Sequence, residues 1–239
     1  YDTSGVNVIT TNTGNDTIHS TGGNDTITTG SGNDTVYLGS GTYTVDLGAG
    51  DDTVYLTTSA SSINGNTGTD EAIVRAFDGF VDVYVDLQFS TYFVPSKLTA
   101  QDGMEVSLQN FEKVTIDGNV AATILGTAAA DTLIGDSGAD TITGRAGADT
   151  LTGGSKSDTF VFSSGDTGIT LDTADTITDF STGTDKIDIA TVGNYVEADG
   201  AGNANIAAFI TDADASLPTT TIDIYAEYNF NGEGNTLVV

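Results

Sequence analysis

Large apolar residues recur at nine-residue intervals through the first third of the chain: Ile9, Ile18, Ile27, Val36, Val45, Val54, Ile63 and Ala72. Four positions before each stands a small residue: Gly5, Gly14, Gly23, Gly32, Gly41, Gly50, Ser59 and Gly68. One apolar residue between polar neighbours, bounded by glycine, predicts a short strand with the apolar side chain inward. Glycine lets the intervening turn take positive φ. A single such unit cannot bury its apolar face, so the pattern predicts a stack of repeats that share one core. A second block carries the same frame at Leu133, Ile142, Leu151 and Phe160.

Between the blocks the frame breaks. Residues 80–87 (FVDVYVDL) alternate strongly and predict a longer strand with one buried face. A surface loop is expected from residue 92 through Gly103, and residues 106–108 and 111–116 return to strand before Ala122 and Ile124 rejoin the frame. The whole reads as a solenoid with a bulging insertion rather than a separate enzyme domain. The expected segments are 1–74 and 114–162 for the two repeat blocks, 75–113 for a strand-rich insertion, and 163–239 for a C-terminal cap. Residues 204–212 are the best candidate for a short helix, and residues 235–239 form a last strand that ends abruptly. The chain also starts almost inside a repeat, so it reads as a piece of a longer protein.

The polar positions add a second frame. Asp16, Asp25, Asp34, Asp52 and Asp70 stand two residues before apolar frame positions, with Asn7, Tyr43 and Ser61 in the gaps. The second block has Asp131, Asp140, Asp149 and Asp158. Over its 239 residues the chain holds 34 acids against six bases, a net charge of −28. That balance argues against nucleic acid or an anionic membrane as a partner. Acids held in register repel, and Arg75, Lys97, Lys113, Arg145, Lys156 and Lys186 are too scattered to compensate. A divalent cation is the economical answer. There is no cysteine, hence no disulfide or thiolate site, and no apolar run approaches the ~18 residues of a membrane span.

The text GDSGADTITGRAGADTLTGG (135–154) resembles the RTX nonapeptide GGxGxDxUx, where U is a large apolar residue. The first block matches the same pattern with a weaker first glycine pair. The resemblance implies an all-β fold, a right-handed parallel β-roll in which two nonapeptides complete one coil of about 18 residues and coils stack at the ~4.8 Å strand spacing. The chain is most similar to the C-terminal region of RTX surface-layer proteins. Residues 172–189 (DTADTITDFSTGTDKIDI) resemble the segment that caps the roll in type I secreted RTX proteins and precedes an export signal.

In a two-sided coil, residues 18 apart stack on one edge. Asp16, Asp34, Asp52 and Asp70 then fall on one edge, and Asn7, Asp25, Tyr43 and Ser61 on the other. Ca²⁺ suits the stacked acids, since it takes six to eight oxygens in flexible geometry, whereas Mg²⁺ demands a tight octahedron. By resemblance, the backbone oxygens two and four residues before each Asp join its carboxylate. This carries over to Gly30 and Gly32 with Asp34, to Gly48 and Gly50 with Asp52, and likewise to Gly14, Gly68, Gly138, Gly147 and Gly154. Three ions are expected between the four acids of the complete edge, and at least two more between Asp131 and Asp149 and between Asp140 and Asp158, about five or more in all. Asp175, Asp179, Asp185 and Asp188 either add a capping ion or are solvated turn acids. Asp25 is counted among the expected metal ligands too, whereas Tyr43 and Ser61 mark turns expected to lack metal.

His19 is the sole histidine, which excludes a zinc-protease helix with two His ligands and leaves a Ser–His–Asp triad only one possible base. It follows the inward Ile18 and shares an outer column with Tyr37 and Tyr55, so outer-face packing is the plain reading and no enzymatic activity is expected. Three functional classes remain. The first is a calcium-dependent surface-layer protein, secreted to the bacterial cell surface and assembling into a lattice. The second is a C-terminal secretion and folding module of an enzyme, toxin or adhesin exported by type I secretion machinery. The third, an ice- or ligand-binding segment, is suggested by outward pairs such as Thr26/Thr28, Thr141/Thr143 and Thr150/Thr152, although Thr44/Asp46 interrupts the first ladder.

Overall fold

A computed structural model describes residues 5–57, 62–76, 82–87, 104–163, 166, 174–181, 183–190, 227–228 and 237–238. Every regular element among them is a strand, and the strands form two sheets. The fold is a parallel β-roll.

The first sheet stacks β2 (Thr17–Gly23), β4 (Thr35–Gly41), β6 (Thr53–Leu56), β8 (Glu71–Ala76), β11 (Lys113–Gly118), β13 (Thr132–Ile134), β15 (Thr150–Thr152) and β17 (Thr176–Ile177), all parallel. The second stacks β1 (Val8–Thr10), β3 (Thr26–Thr28), β5 (Thr44–Asp46), β7 (Ser62–Asn64), β10 (Met104–Gln109), β9 (Asp82–Asp86), β12 (Ala121–Leu125), β14 (Thr141–Thr143), β16 (Thr159–Ser163) and β18 (Lys186–Ala190). At the C-terminal end β20 (Leu237–Val238) pairs antiparallel with β17 and with β19 (Glu227–Tyr228).

Register follows the apolar frame. Ile18, Val36, Val54, Ala72, Val114, Leu133, Leu151 and Ile177 lie opposite one another across the first sheet. Ile27, Val45 and Ile63 do the same in the second, and all of these are buried in one continuous core. A one-residue slip would turn this entire set outward, so burial fixes the register. The expected burial of the frame residues is thus observed in both blocks, except that Ile9 at the N-terminal end is only partly buried.

The insertion does not simply bulge. It contributes two strands to the second sheet, and β10, later in sequence, is laid between β7 and β9. The first sheet meanwhile passes directly from β8 to β11 to β13. Leu108 pairs with Ile63, but Val106 pairs with Val85, which in turn meets Ile124. The frame therefore steps by two residues across the insertion, which keeps the inward face inward. The strand expected over 80–87 is described as β9, whereas the loop through Gly103 and the helix at 204–212 lie outside the described residues.

An ion pair holds the C-terminal end of β9. The Arg145 guanidinium binds the buried Asp86 carboxylate with both nitrogens, at 2.8 and 3.1 Å, and one nitrogen also donates to Gly126 O at 2.5 Å. Asp86 is 4% exposed, so removing its partner strands a buried charge. Arg145→Met, which keeps the aliphatic stem, is expected to cost about 2–4 kcal/mol in urea unfolding of the calcium-saturated protein. An unchanged unfolding midpoint would show that the pair contributes nothing.

Candidate metal centre

The acids lie where each turn enters a strand of the first sheet. Asp16 N–H donates to Asp34 Oδ1 at 2.7 Å, Asp34 N–H to Asp52 Oδ1 at 2.7 Å, and Asp52 N–H to Asp70 Oδ1 at 2.8 Å. Each carboxylate thus caps the backbone of the same position one rung earlier, 18 residues before it. Asp70 N–H continues the series to Glu112 Oε2 at 2.8 Å. Asp131 N–H donates to Asp149 Oδ1 at 2.8 Å, and Asp149 N–H to Asp175 Oδ1 at 2.9 Å. One edge of the roll therefore carries acids before every first-sheet strand, from β2 to β17.

One oxygen of Asp34, Asp52, Asp70, Asp149 and Asp175 is used in this way, whereas Asp131 Oδ2 accepts from the Thr127 N–H and hydroxyl of its own turn at 2.6 and 3.0 Å. A second oxygen is not so used: Asp34, Asp52 and Asp70 each keep a buried Oδ2 with no hydrogen-bond partner, as do Asp140, Asp149 and Asp158, while Asp131 keeps its Oδ1. An ionised oxygen buried without a donor is costly, so a repeated set of them points to a missing positive partner. Among the described residues no three acidic or imidazole side chains converge, so backbone oxygens must supply much of any coordination sphere.

The turns present such oxygens. A Cβ built on Gly50 would stand 2.2 Å from Gly32 O, at a φ of +134° that side chains rarely adopt. The carbonyl of each turn is thus aimed at the rung above. Gly14 O faces Gly32, Gly50 O faces Gly68 and Gly30 O faces Gly48. In the second block, Val120 O, Ala129 O and Asp136 O face Gly138, Gly147 and Gly154. The turn shape does not depend on glycine alone. The non-glycine residues with positive φ are Asn66, Asn110, Asp136, Arg145 and Lys156. Each of these five stands two or four residues before a stacked acid (Asp70, Glu112, Asp140, Asp149 and Asp158), the positions whose carbonyls the family resemblance implies as ligands. A left-handed conformation is uncommon at non-glycine residues, although Asn and Asp tolerate it best, so its recurrence at these positions shows that the fold holds the turn shape.

Burial, opposed by backbone hydrogen bonds and reinforced by neighbouring acids, raises the pKa of these groups. Asp52 and Asp70 rise to about 6, Asp140 and Asp149 to about 7, and Asp175 to about 8. Asp131 and Asp158 are raised as well, again chiefly by burial. Desolvation disfavours the charged form, so without a cation the column tends to take up protons.

The opposite edge is mixed. Asp140 Oδ1 accepts from Ala122 N–H at 2.7 Å, Asp158 Oδ1 from Asp140 N–H at 2.8 Å and Asp185 Oδ1 from Asp158 N–H at 3.1 Å. Asp25 sits differently: Oδ1 accepts from Asn7 N–H at 2.9 Å and Oδ2 from the Ser20 hydroxyl, so both oxygens are occupied. On the next rung the buried Tyr43 hydroxyl lies between Ser20 O at 3.1 Å and Ser40 O at 3.2 Å. A phenol fills this turn where the other edge has a carboxylate. Ser61 lies outside the described residues.

The nine-residue step misses Glu112, because it stands 42 residues after Asp70, and it leaves Asp175 and Asp185 ambiguous at separations of 26 and 27. The shorter pattern of an acid two residues before an inward apolar residue finds them: Glu112/Val114, Asp175/Ile177 and Asp185/Ile187. Asp179 accepts from Gly153 N–H and Gly154 N–H, at 3.0 and 2.6 Å, and Asp188 is exposed. His19, Tyr37 and Tyr55 stack face to face on the outer surface at 4.4 and 4.5 Å, with the Arg75 guanidinium 4.8 Å from the Tyr55 ring.

Buried carboxylate oxygens without donors, beside carbonyls aimed between rungs, form an oxygen-only cradle of the kind Ca²⁺ prefers. The sequence pattern of the RTX calcium-binding nonapeptide repeat matches residues 1–36, 10–45, 46–73 and 125–160. The two blocks are RTX repeats. This part of the molecule is accordingly a calcium-binding module of a type found in secreted bacterial proteins. No curated protein matches the chain.

Proposed function

We propose that this RTX chain is the calcium-dependent structural region of a secreted bacterial surface-layer protein, loose inside the cell and compact outside it. The observation that carries the reading is the column of buried carboxylate oxygens without donors. A roll built this way has its stability tied to metal, because binding free energy becomes folding free energy. Extracellular calcium modules bind at roughly 10⁻⁴–10⁻³ M, far above cytosolic calcium, so export itself acts as the folding signal. The ions lie between successive acids of the column: Asp16/Asp34, Asp34/Asp52 and Asp52/Asp70, then Asp131/Asp149 and, on the other edge, Asp140/Asp158. Glycine-turn carbonyls complete each site. Asp25, with both oxygens hydrogen-bonded, is left out of this set.

Assembly into a lattice is favoured by the acidic, cysteine-free composition and by the two sheets, each a broad face of short strands. Millimolar Ca²⁺ added to the purified protein is expected to give ordered two-dimensional sheets in electron micrographs. A chain that stays monomeric at high concentration with calcium bound would sink the lattice. The reading would then pass to an export and folding module for an upstream passenger, favoured by the incorporation of Asp175 and Asp185 into the two acid columns. That alternative predicts that deleting residues 172–239 abolishes export of a fused passenger through a type I channel.

A further inference from the structure

The repeat frame fails between Asp70 and Asp131, but the acid column does not, and the reason lies in an unusual turn. Gly65 N–H donates to Gln109 O at 2.9 Å, as Gly126 N–H does to Thr143 O and Gly135 N–H to Thr152 O. This correspondence aligns Asn110 with Gly144 and Gly153. An ordinary turn then takes five further residues to reach its acid, Gly144 to Asp149 or Gly153 to Asp158, whereas the junction takes two, Asn110 to Glu112. The turn is three residues short, and its acid has one more methylene than aspartate. Glu112 still meets the preceding rung, accepting from Asp70 N–H at 2.8 Å. Between the two, Phe111 is 1% exposed and joins the hydrophobic core.

The oxygens converge there as they do in the repeats. A Cβ on Gly65 would stand 2.4 Å from Asp70 Oδ2 and 2.3 Å from Asn110 O. The equivalent point at Gly126 lies 2.7 Å from Asp131 Oδ2 and 2.5 Å from Gly144 O, and that at Gly135 lies 2.4 Å from Asp140 Oδ2 and 2.8 Å from Gly153 O. Asp70 is 1% exposed, and its Oδ2 is buried without a hydrogen-bond partner. Asn110 holds φ 52°, which aims its carbonyl. The neighbouring base, Lys113, is bound to Glu71 at 2.9 Å, and so does not neutralise this pair.

We propose that Asp70, Glu112 and the Asn110 carbonyl form a calcium site of their own, joining the two repeat blocks across the insertion. It rests on the calcium reading above, and it lies across the gap between the family matches, which stop at residue 73 and resume at 125. Its ligands come from rungs 42 residues apart instead of 18. The site makes the blocks fold as one unit: filling it draws β11 against β8 and so continues the first sheet into the second block.

The test counts bound calcium by equilibrium dialysis and follows folding by circular dichroism during a calcium titration, for the full chain and Glu112→Gln. The amide keeps an acceptor for Asp70 N–H but removes the charge. The variant is expected to bind one ion fewer, and its titration to lose steepness and separate into two transitions. Glu112→Asp, charged but one methylene short, is expected to lose the same ion; it carries the count if the Gln variant fails to fold in excess calcium. Unchanged stoichiometry and steepness in a wild type that does bind calcium would overturn the junction site alone. A wild type that binds no calcium would overturn the calcium reading itself.

Discussion

A chelator at pH 7.5 is expected to collapse the far-ultraviolet β signal and expand the chain from a radius of gyration of roughly 18–20 Å to roughly 50 Å. The cause is local and repeated. At that pH the chain carries a net charge of −28, and the folded state would hold Asp34, Asp52, Asp70, Asp140, Asp149 and Asp158 buried, each with an oxygen that no donor reaches. Rungs bring like charges together in a medium less polar than water, which strengthens their repulsion. Each rung offers the core only a few aliphatic side chains, such as Val36 and Val45, against the entropy of ordering a whole coil. Restoring millimolar calcium should return both signals. Magnesium at the same concentration should not, because it keeps its waters and demands octahedral geometry.

Acid should substitute in part for the metal. The folded-state pKa values of Asp52 and Asp70 rise to about 6, those of Asp140 and Asp149 to about 7 and that of Asp175 to about 8, from an ordinary 3.8. Between those limits the folded state binds more protons than the unfolded one, so stability of the metal-free roll falls as pH rises. The penalty is absent below about pH 4 and complete above about pH 8. Metal-free protein at pH 5, above the sequence pI of 4.1, is therefore expected to recover much of the β signal missing at pH 8. The calcium-loaded protein moves the other way, since protons compete with the ion for the same oxygens and calcium affinity falls on acidification. A metal-free chain that folds better at pH 8 than at pH 5 would reverse the sign of the argument.

The repeat blocks were legible in the sequence because one periodicity encodes two things at once. A nine-residue step places Ile18 and Val36 inward and Asp16 and Asp34 at the rim, and 18 residues close one coil, so register and acid column come from the same count. The junction was not legible, because β10 enters the second sheet out of sequence order and the Asn110–Glu112 turn is three residues short; neither keeps the count. Asp25 shows a different limit. Its text matches the repeat, but Asn7 and Ser20 donate to its two oxygens, so it keeps no orphan oxygen as Asp34 and Asp52 do, and Tyr43 stands at the same position on the next rung. Spacing predicts where a carboxylate stands; only the surrounding donors show whether it has a partner.

The most direct test is an ion count on variants that differ only in the rim. Asp52 lies between Asp34 and Asp70, so Asp52→Asn should remove two calcium ions, one from each side. Tyr43→Phe, on the edge whose turn the phenol fills, should remove none. Equal calcium stoichiometry for the two variants would contradict the claim that stacked carboxylates hold the metal.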